Sequence, residues 1–182
     1  MRRLDSPHGT TVLIVEPAGT PTFAAGRRAL AEALGQGVSP GEIGRSDRGA
    51  PVVPRGHGSI AHKAGPERVI AAAIAAPHLV GIDVERALAP RQAIERRILT
   101  PRELAVLGDD RRQVALVFAI KEAIYKAIDP IVRRYVGFTE VELDLATRTA
   151  MTALPFDLDV WWTELAEPEP LWLATARATL RQ

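Results

Sequence analysis

Between Val80 and Glu85 apolar and acidic residues alternate, in the order Val80-Gly81-Ile82-Asp83-Val84-Glu85, and that pattern suits one regular element only. A strand repeats every two residues, so Val80, Ile82 and Val84 take one face while Asp83 and Glu85 take the other. One face can enter a core. The other must hold two neighbouring carboxylates, which repel unless a cation stands beside them. Further along, Phe118-Ala119-Ile120-Lys121-Glu122-Ala123-Ile124-Tyr125-Lys126 has helical spacing, and residues four apart are neighbours on a helix. Phe118, Glu122 and Lys126 therefore stack on one side, where a third carboxylate and an amine share a face.

Composition narrows what such a pair of elements can belong to. The 182 residues suffice for one substantial core or two small coupled lobes, and a net charge of +1 gives no global signature of nucleic-acid binding. Any anion site must be local. The absence of cysteine excludes disulfides and thiolate metal sites, leaving oxygen or histidine ligands for any ion. Met1 to Pro7 lacks the apolar stretch of a signal peptide, and the longest apolar run, Val69 to Ile82, is too short and too interrupted to span a bilayer. A soluble cytoplasmic protein is expected.

Local pattern predicts a strand over Thr11 to Val15 and a helix over Phe23 to Leu34, closed by Gly35 and Gly37. Glycine, proline and charge dominate from Gln36 to Gly58, as in a loop or linker. Val69 to Ala76 reads equally as strand or buried helix, and His78 to Glu85 is the acidic strand. Thr100-Pro101-Arg102-Glu103 supplies a capping threonine, a proline at the first helical position and a glutamate at the third. Gln113 to Ile128 is predicted as a helix, with strands over Phe138 to Leu145, Leu158 to Trp162 and Trp172 to Ala178. Glu167 to Pro170 is an exposed turn.

Four segments together resemble the 4'-phosphopantetheinyl transferases. The G-I/V-D-x-E strand is matched by Gly81 to Glu85, and the W/F-x-x-K-E-x-x-x-K helix by Phe118 to Lys126. The F-x-x-G-R element is matched by Phe23 to Arg27. Arg48 to Pro51, followed by Pro54 to His62, is similar to the K/R-x-x-P-x-W-P-x-G-x-x-G-S-x-S/T-H element of the siderophore-synthetase, enterobactin-type branch. There are departures from that pattern. Ala18-Gly19-Thr20-Pro21 stands where many relatives have a basic cluster, Val53 replaces a tryptophan and Ala61 a serine or threonine, while Phe118 for tryptophan is common in the branch.

The resemblance implies an α+β fold of two pseudo-symmetric lobes with the active site between them. The N-terminal lobe would span residues 1–88, with the nucleotide-binding residues and the acidic strand. The C-terminal lobe would span residues 89–182 and carry the KEAIYK helix. It implies a monomeric enzyme of the holo-[acyl-carrier-protein] synthase type that moves 4'-phosphopantetheine from coenzyme A to a serine of carrier-protein domains, with Mg²⁺. Asp83, Glu85 and Glu122 would hold the metal, and Glu122 would also help deprotonate the serine. Lys126 would stabilise the departing pyrophosphate charge, Lys121 would add a phosphate contact, and Arg27, Arg48 and His62 would hold the nucleotide phosphates.

Each segment also has a plainer reading. Asp83 and Glu85 could be the solvated face of an edge strand, and Glu122 with Lys126 a surface pair stabilising a helix by about 0.2–0.5 kcal/mol. His62 could be structural. A Ser59–His62 hydrolase is a second enzyme class, although no G-x-S-x-G elbow is present. A carrier-binding module without turnover and a metal-dependent phosphoesterase complete the alternatives.

Overall fold

In a computed structural model of the chain, residues 1–35, 37–90, 92–108 and 110–181 are described. Gln36, where the sequence pattern begins the loop, lies outside them. The first half contains β1 (Arg2–Leu4), β2 (Thr10–Pro17), α1 (Thr22–Leu34), the two-residue strands β3 (Gly44–Arg45) and β4 (Pro51–Val52), β5 (His57–Ala64) and β6 (Arg68–Ala76). The second contains β7 (Val80–Arg86), α2 (Glu95–Ile98), α3 (Pro101–Leu107), α4 (Arg111–Val132), β8 (Val141–Asp144), β9 (Thr149–Thr152), β10 (Phe156–Leu165) and β11 (Leu171–Leu180). The larger sheets run β1-β2-β6-β5 and β10-β11-β7, antiparallel throughout. The mixed α and β architecture expected from the sequence is present.

The layers follow from which faces are apolar. β6 resolves as a strand because both its faces are covered: Val69, Ala71, Ala73 and Ala75 pack under α1, while Ile70, Ala72 and Ile74 meet the second sheet. Alanines let the helix and the sheet approach closely from opposite sides. Val80, Ile82 and Val84 of β7 join that inter-sheet core with Leu171 and Leu173, as the alternation predicts. On the far side of the second sheet α4 packs through Val117, Ile120, Ile124 and Ile128. The order of layers is helix, sheet, sheet, helix. Burying an aliphatic side chain of this size contributes about 1.5–3 kcal/mol, so this α4 face is a main source of stability.

The lobes expected over 1–88 and 89–182 would group β7 with the N-terminal sheet. Its ladder instead runs to β11, pairing Asp83 with Ala174 and Glu85 with Trp172. The acidic strand is hydrogen-bonded to the second sheet and lies beside β5, the edge of the first, where the Ile82 N–H donates to Ser59 Oγ at 3.2 Å. That junction positions the site.

α3 begins at the predicted cap: Thr100 Oγ1 accepts from the Glu103 N–H at 3.2 Å and Glu103 Oε2 from the Thr100 N–H at 2.7 Å. α4 outruns the expected 113–128. It starts where Asp110 accepts from the N–H groups of Arg112 and Gln113, both at 3.1 Å, and it ends with Arg133 at a φ of 50°. Phe138 to Leu145 divides into a 3-10 turn (Phe138–Glu140) and β8. Among the described residues no helix is long and apolar enough to cross a membrane.

Gly81 sets how close α4 comes to β7. A Cβ at this position would lie 1.9 Å from the Ala123 carbonyl oxygen and 2.7 Å from the Ala127 nitrogen, both helix backbone atoms that cannot rotate aside. Gly81→Ala must push α4 off the strand, at a cost on the order of 1–3 kcal/mol. The urea midpoint should fall accordingly, and an unchanged midpoint would show that the helix has room to move.

Candidate functional site

β7 and α4 bring the acidic residues together because Gly81 and Asp83 share the strand face on which the helix lies. Asp83 is only 7% exposed. Its Oδ1 accepts from the Lys126 amine at 2.7 Å, and the same amine donates to the Ile82 carbonyl at 3.1 Å. Asp83 Oδ2 is buried and has no hydrogen-bond partner among the described residues. An orphaned carboxylate oxygen is costly in a dry site, and an added ligand would relieve it.

Glu122 lies one helical turn from Lys126, yet the two are not paired, since Lys126 has turned to Asp83. Within the described residues Glu122 has no hydrogen bond or ion pair, and burial, then the nearby Asp83 charge, push its carboxyl above the ordinary range. Glu85 is held differently. Its Oε1 accepts from the Lys63 amine of β5, and burial raises its carboxyl despite that partner. Asp83 acts on both glutamates.

The sequence reading gathers Asp83, Glu85 and Glu122 around one ion. Among the described residues no three acidic or histidine side chains converge as a ready ligand set, and lysines occupy Glu85 Oε1 and Asp83 Oδ1. The carboxylate positions left unpartnered among the described residues are Asp83 Oδ2 and Glu122, and oxygen donors of this kind suit a hard divalent cation. Mg²⁺ is commonly bound through one or two carboxylates, several waters and substrate phosphates.

Glu122 and Lys126, the latter bonded to Asp83, line a cleft of about 590 Å³ between the first sheet and α4. Phe23, the turn from Arg45 to Gly49 and His62 line one side, and Glu122, Tyr125, Lys126 and Asp129 the other. The His62 imidazole is held below its ordinary pKa by partial burial and by the Lys126 and Lys63 charges. Arg27 stacks over the Phe23 ring at 4.5 Å with its Nε buried and unbonded, and Arg45 approaches the same ring at 5.4 Å. A smaller, mostly apolar pocket of about 130 Å³ lies beside Glu122, between α4 and the segment from Tyr135 to Val141.

Arg48 reaches the cleft but is engaged. Its guanidinium donates to Asp129 at 2.6, 3.1 and 3.2 Å and to the Tyr125 hydroxyl at 3.2 Å, which ties the β3–β4 turn to α4. Lys121 departs further from the expected role. Its side chain is 1% exposed and its amine donates to Glu103 Oε2 at 2.6 Å and to the Ile98 carbonyl at 2.9 Å, beneath α4 and away from the phosphate cleft. Lys121 is an internal ion pair, and its assignment as a phosphate contact is corrected. The Ser59–His62 hydrolase fails as well, because Ser59 is buried against β7 and residues three apart on β5 point to opposite faces.

Sequence reasoning missed Lys63, Arg45 and Asp129. Lys63 directly follows His62, but its importance depends on β5 lying beside β7. Arg45 was legible as a second arginine three residues before Arg48. Asp129 was hidden because only the tertiary fold brings the β3–β4 turn to α4.

A family model described as the 4'-phosphopantetheinyl transferase superfamily matches residues 79–175, from the residue before β7 to the middle of β11. The 4'-phosphopantetheinyl transferase Npt of Nocardia iowensis is 37% identical over 121 residues, covering 64% of this chain and 53% of that protein. The 4'-phosphopantetheinyl transferase PptT of Mycobacterium tuberculosis is 33% identical over 124 residues, covering 61% of this chain and 51% of that protein. The chain spans about half the length of these two curated relatives.

Proposed function

Because the chain belongs to the 4'-phosphopantetheinyl transferase superfamily, we propose that it transfers the 4'-phosphopantetheine group of coenzyme A to a serine of an apo carrier protein. The observation that supports this most is that Glu122 and Lys126, the latter bonded to Asp83, line a cleft whose other wall carries Arg45 and Arg48. The siderophore-synthetase branch is the finer assignment, resting on the F-x-x-G-R and G-S-x-x-H elements of the sequence. Peptide-synthetase or polyketide carrier domains are then the acceptors.

Asp83 and Glu122 would hold Mg²⁺, which when bound would offset charge on the phosphoryl oxygens. The remaining work falls to side chains of the protein. The serine oxygen bonds to the phosphorus that carries the pantetheine arm, the bridging phosphorus–oxygen bond breaks, and adenosine 3',5'-bisphosphate leaves with the electron pair. Glu122 takes the serine proton. In the ligand-free protein burial holds its carboxyl above the ordinary range, and a more basic carboxylate is the better proton acceptor. Lys126 faces the pyrophosphate and steadies the charge that develops on the leaving group. Arg27, Arg45 and His62 grip the nucleotide, and Arg48 contributes if phosphate displaces Asp129.

The test is the intact mass of an apo carrier domain incubated with the protein, coenzyme A and Mg²⁺. A gain of one phosphopantetheine is expected. No gain with any apo carrier refutes transfer, and release of phosphorylated pantetheine without an acceptor would favour a phosphoesterase.

A further inference from the structure

Several cations that line the cleft are already neutralised by the protein itself. Lys126 is bound to Asp83, Arg133 to Asp47 and Arg48 to Asp129. The last two pairs cross between the β3–β4 turn and α4, and they differ in kind. Asp47 and Arg133 meet at 3.3 Å with side chains 73% and 65% exposed, so solvent screens them. The Asp129 side chain is only 11% exposed, and it accepts from Arg48 Nε at 3.1 and 3.2 Å and from Nη2 at 2.6 Å. That edge of the guanidinium is a fork that binds carboxylate or phosphate through two parallel N–H groups. Asp129, itself part of the cleft wall, stands on an arginine edge that an incoming phosphate would use.

We infer that Asp129 is a resident anion that occupies Arg48 in the ligand-free protein and so sets the affinity of the cleft for phosphate: the nucleotide of coenzyme A binds by taking the Arg48 fork from Asp129. Asp129 acts through Arg48 and is not a catalytic residue. Two anions cannot share one fork, so phosphate finds its partner only in the fraction of molecules whose pair is open, and the apparent affinity falls by that fraction. Opening the pair strands a largely buried carboxylate without its counter-charge, which keeps the open fraction small. The inference rests on the transferase reading of the cleft. It goes beyond that reading by giving control of substrate affinity to Asp129, which lies outside both the strand motif and the helix motif.

Calorimetric titration with coenzyme A, and separately with inorganic pyrophosphate, in buffer containing EDTA tests this without metal or turnover. Asp129→Asn keeps the shape and removes the charge. It should tighten both ligands by about tenfold, as expected if Arg48 is free in about a tenth of the parent molecules. Asp47→Asn removes a carboxylate of the same turn that does not hold Arg48, and it should change affinity by less than about twofold. In the parent, the nuclear magnetic resonance signal of Arg48 Nε, assigned by its loss in Arg48→Lys, should move as either ligand is added, a readout that does not depend on the Asp129 variant folding. Unchanged or weaker binding in Asp129→Asn overturns the inference, because Asp129 would then orient Arg48 and not compete for it. An equal gain in Asp47→Asn overturns it too, by making net charge the cause, as does an Arg48 signal that stays in place while ligand binds. If any of these is seen in a parent that transfers phosphopantetheine, the inference fails and the transferase reading stands. If the parent transfers nothing while pyrophosphate binding responds as predicted, the occupied fork is established and the transferase reading fails. Binding of neither ligand at millimolar concentration, by parent or by Asp129→Asn, overturns the inference outright.

Discussion

Glu122→Gln should lower transfer by about 10²–10⁴-fold, the usual contribution of a positioned general base, while raising the stability of the ligand-free protein at neutral pH. Both effects have one cause. The carboxyl is buried beside Asp83 with no bonded partner, so its folded pKa lies above its ordinary value of 4.5. A carboxyl raised in this way costs nothing at pH values below the unfolded pKa, where it is protonated in both states. The cost grows as pH climbs through the folded value, and it is complete above that. Glutamine removes it. Thermal melts should therefore show the variant ahead of the parent at pH 7, with the gap closing as the pH falls below 4.5. A surface pair with Lys126 would predict the reverse, a slight loss of stability with normal turnover. Undiminished transfer would move the base to another group.

What the sequence made legible was local, and what it hid was long-range. Two-residue alternation fixed the inward face of β7, because one strand's pleat needs no knowledge of its neighbour. Its partner could not be read, since β11 lies far along the chain and antiparallel strands so separated leave no mark in either segment. The Thr100 cap was readable for the same local reason, although Glu103 proved to do more than cap. In α4 the difficulty was angular. A helix turns about 100° per residue, so Glu122 and Lys126 lie within about 40° of each other while Lys121 lies about 140° from Lys126. The motif letters place all three together; the helix does not. Arg48 shows another limit, because its partner Asp129 is reached only when the β3–β4 turn folds over α4.

Lys121→Met should unfold the protein more readily without weakening its hold on coenzyme A. Glu103 Oε1 accepts from the Leu143 N–H at 2.7 Å, and its Oε2 accepts from the Thr100 N–H and from the Lys121 amine. The side chains of the ion pair are 1% and 2% exposed, so removing the amine leaves a buried carboxylate short of its counter-charge. Breaking such a pair from one side costs about 3–5 kcal/mol, although replacing both partners together is often neutral. For a chain of this size that corresponds to a fall in Tm on the order of 10 °C. Burial itself lowers the Lys121 pKa, and Glu103 opposes that shift. The amine donates to Glu103 and to the Ile98 carbonyl, and Lys121 is not among the residues lining the phosphate cleft. The pair joins α3, α4 and β8 beneath the helix that carries Glu122. Its loss should reduce the folded fraction while the KM for coenzyme A, measured on the folded protein, stays within about twofold, as expected when no binding contact is lost. An unchanged Tm with a tenfold rise in KM would instead return Lys121 to the phosphate site.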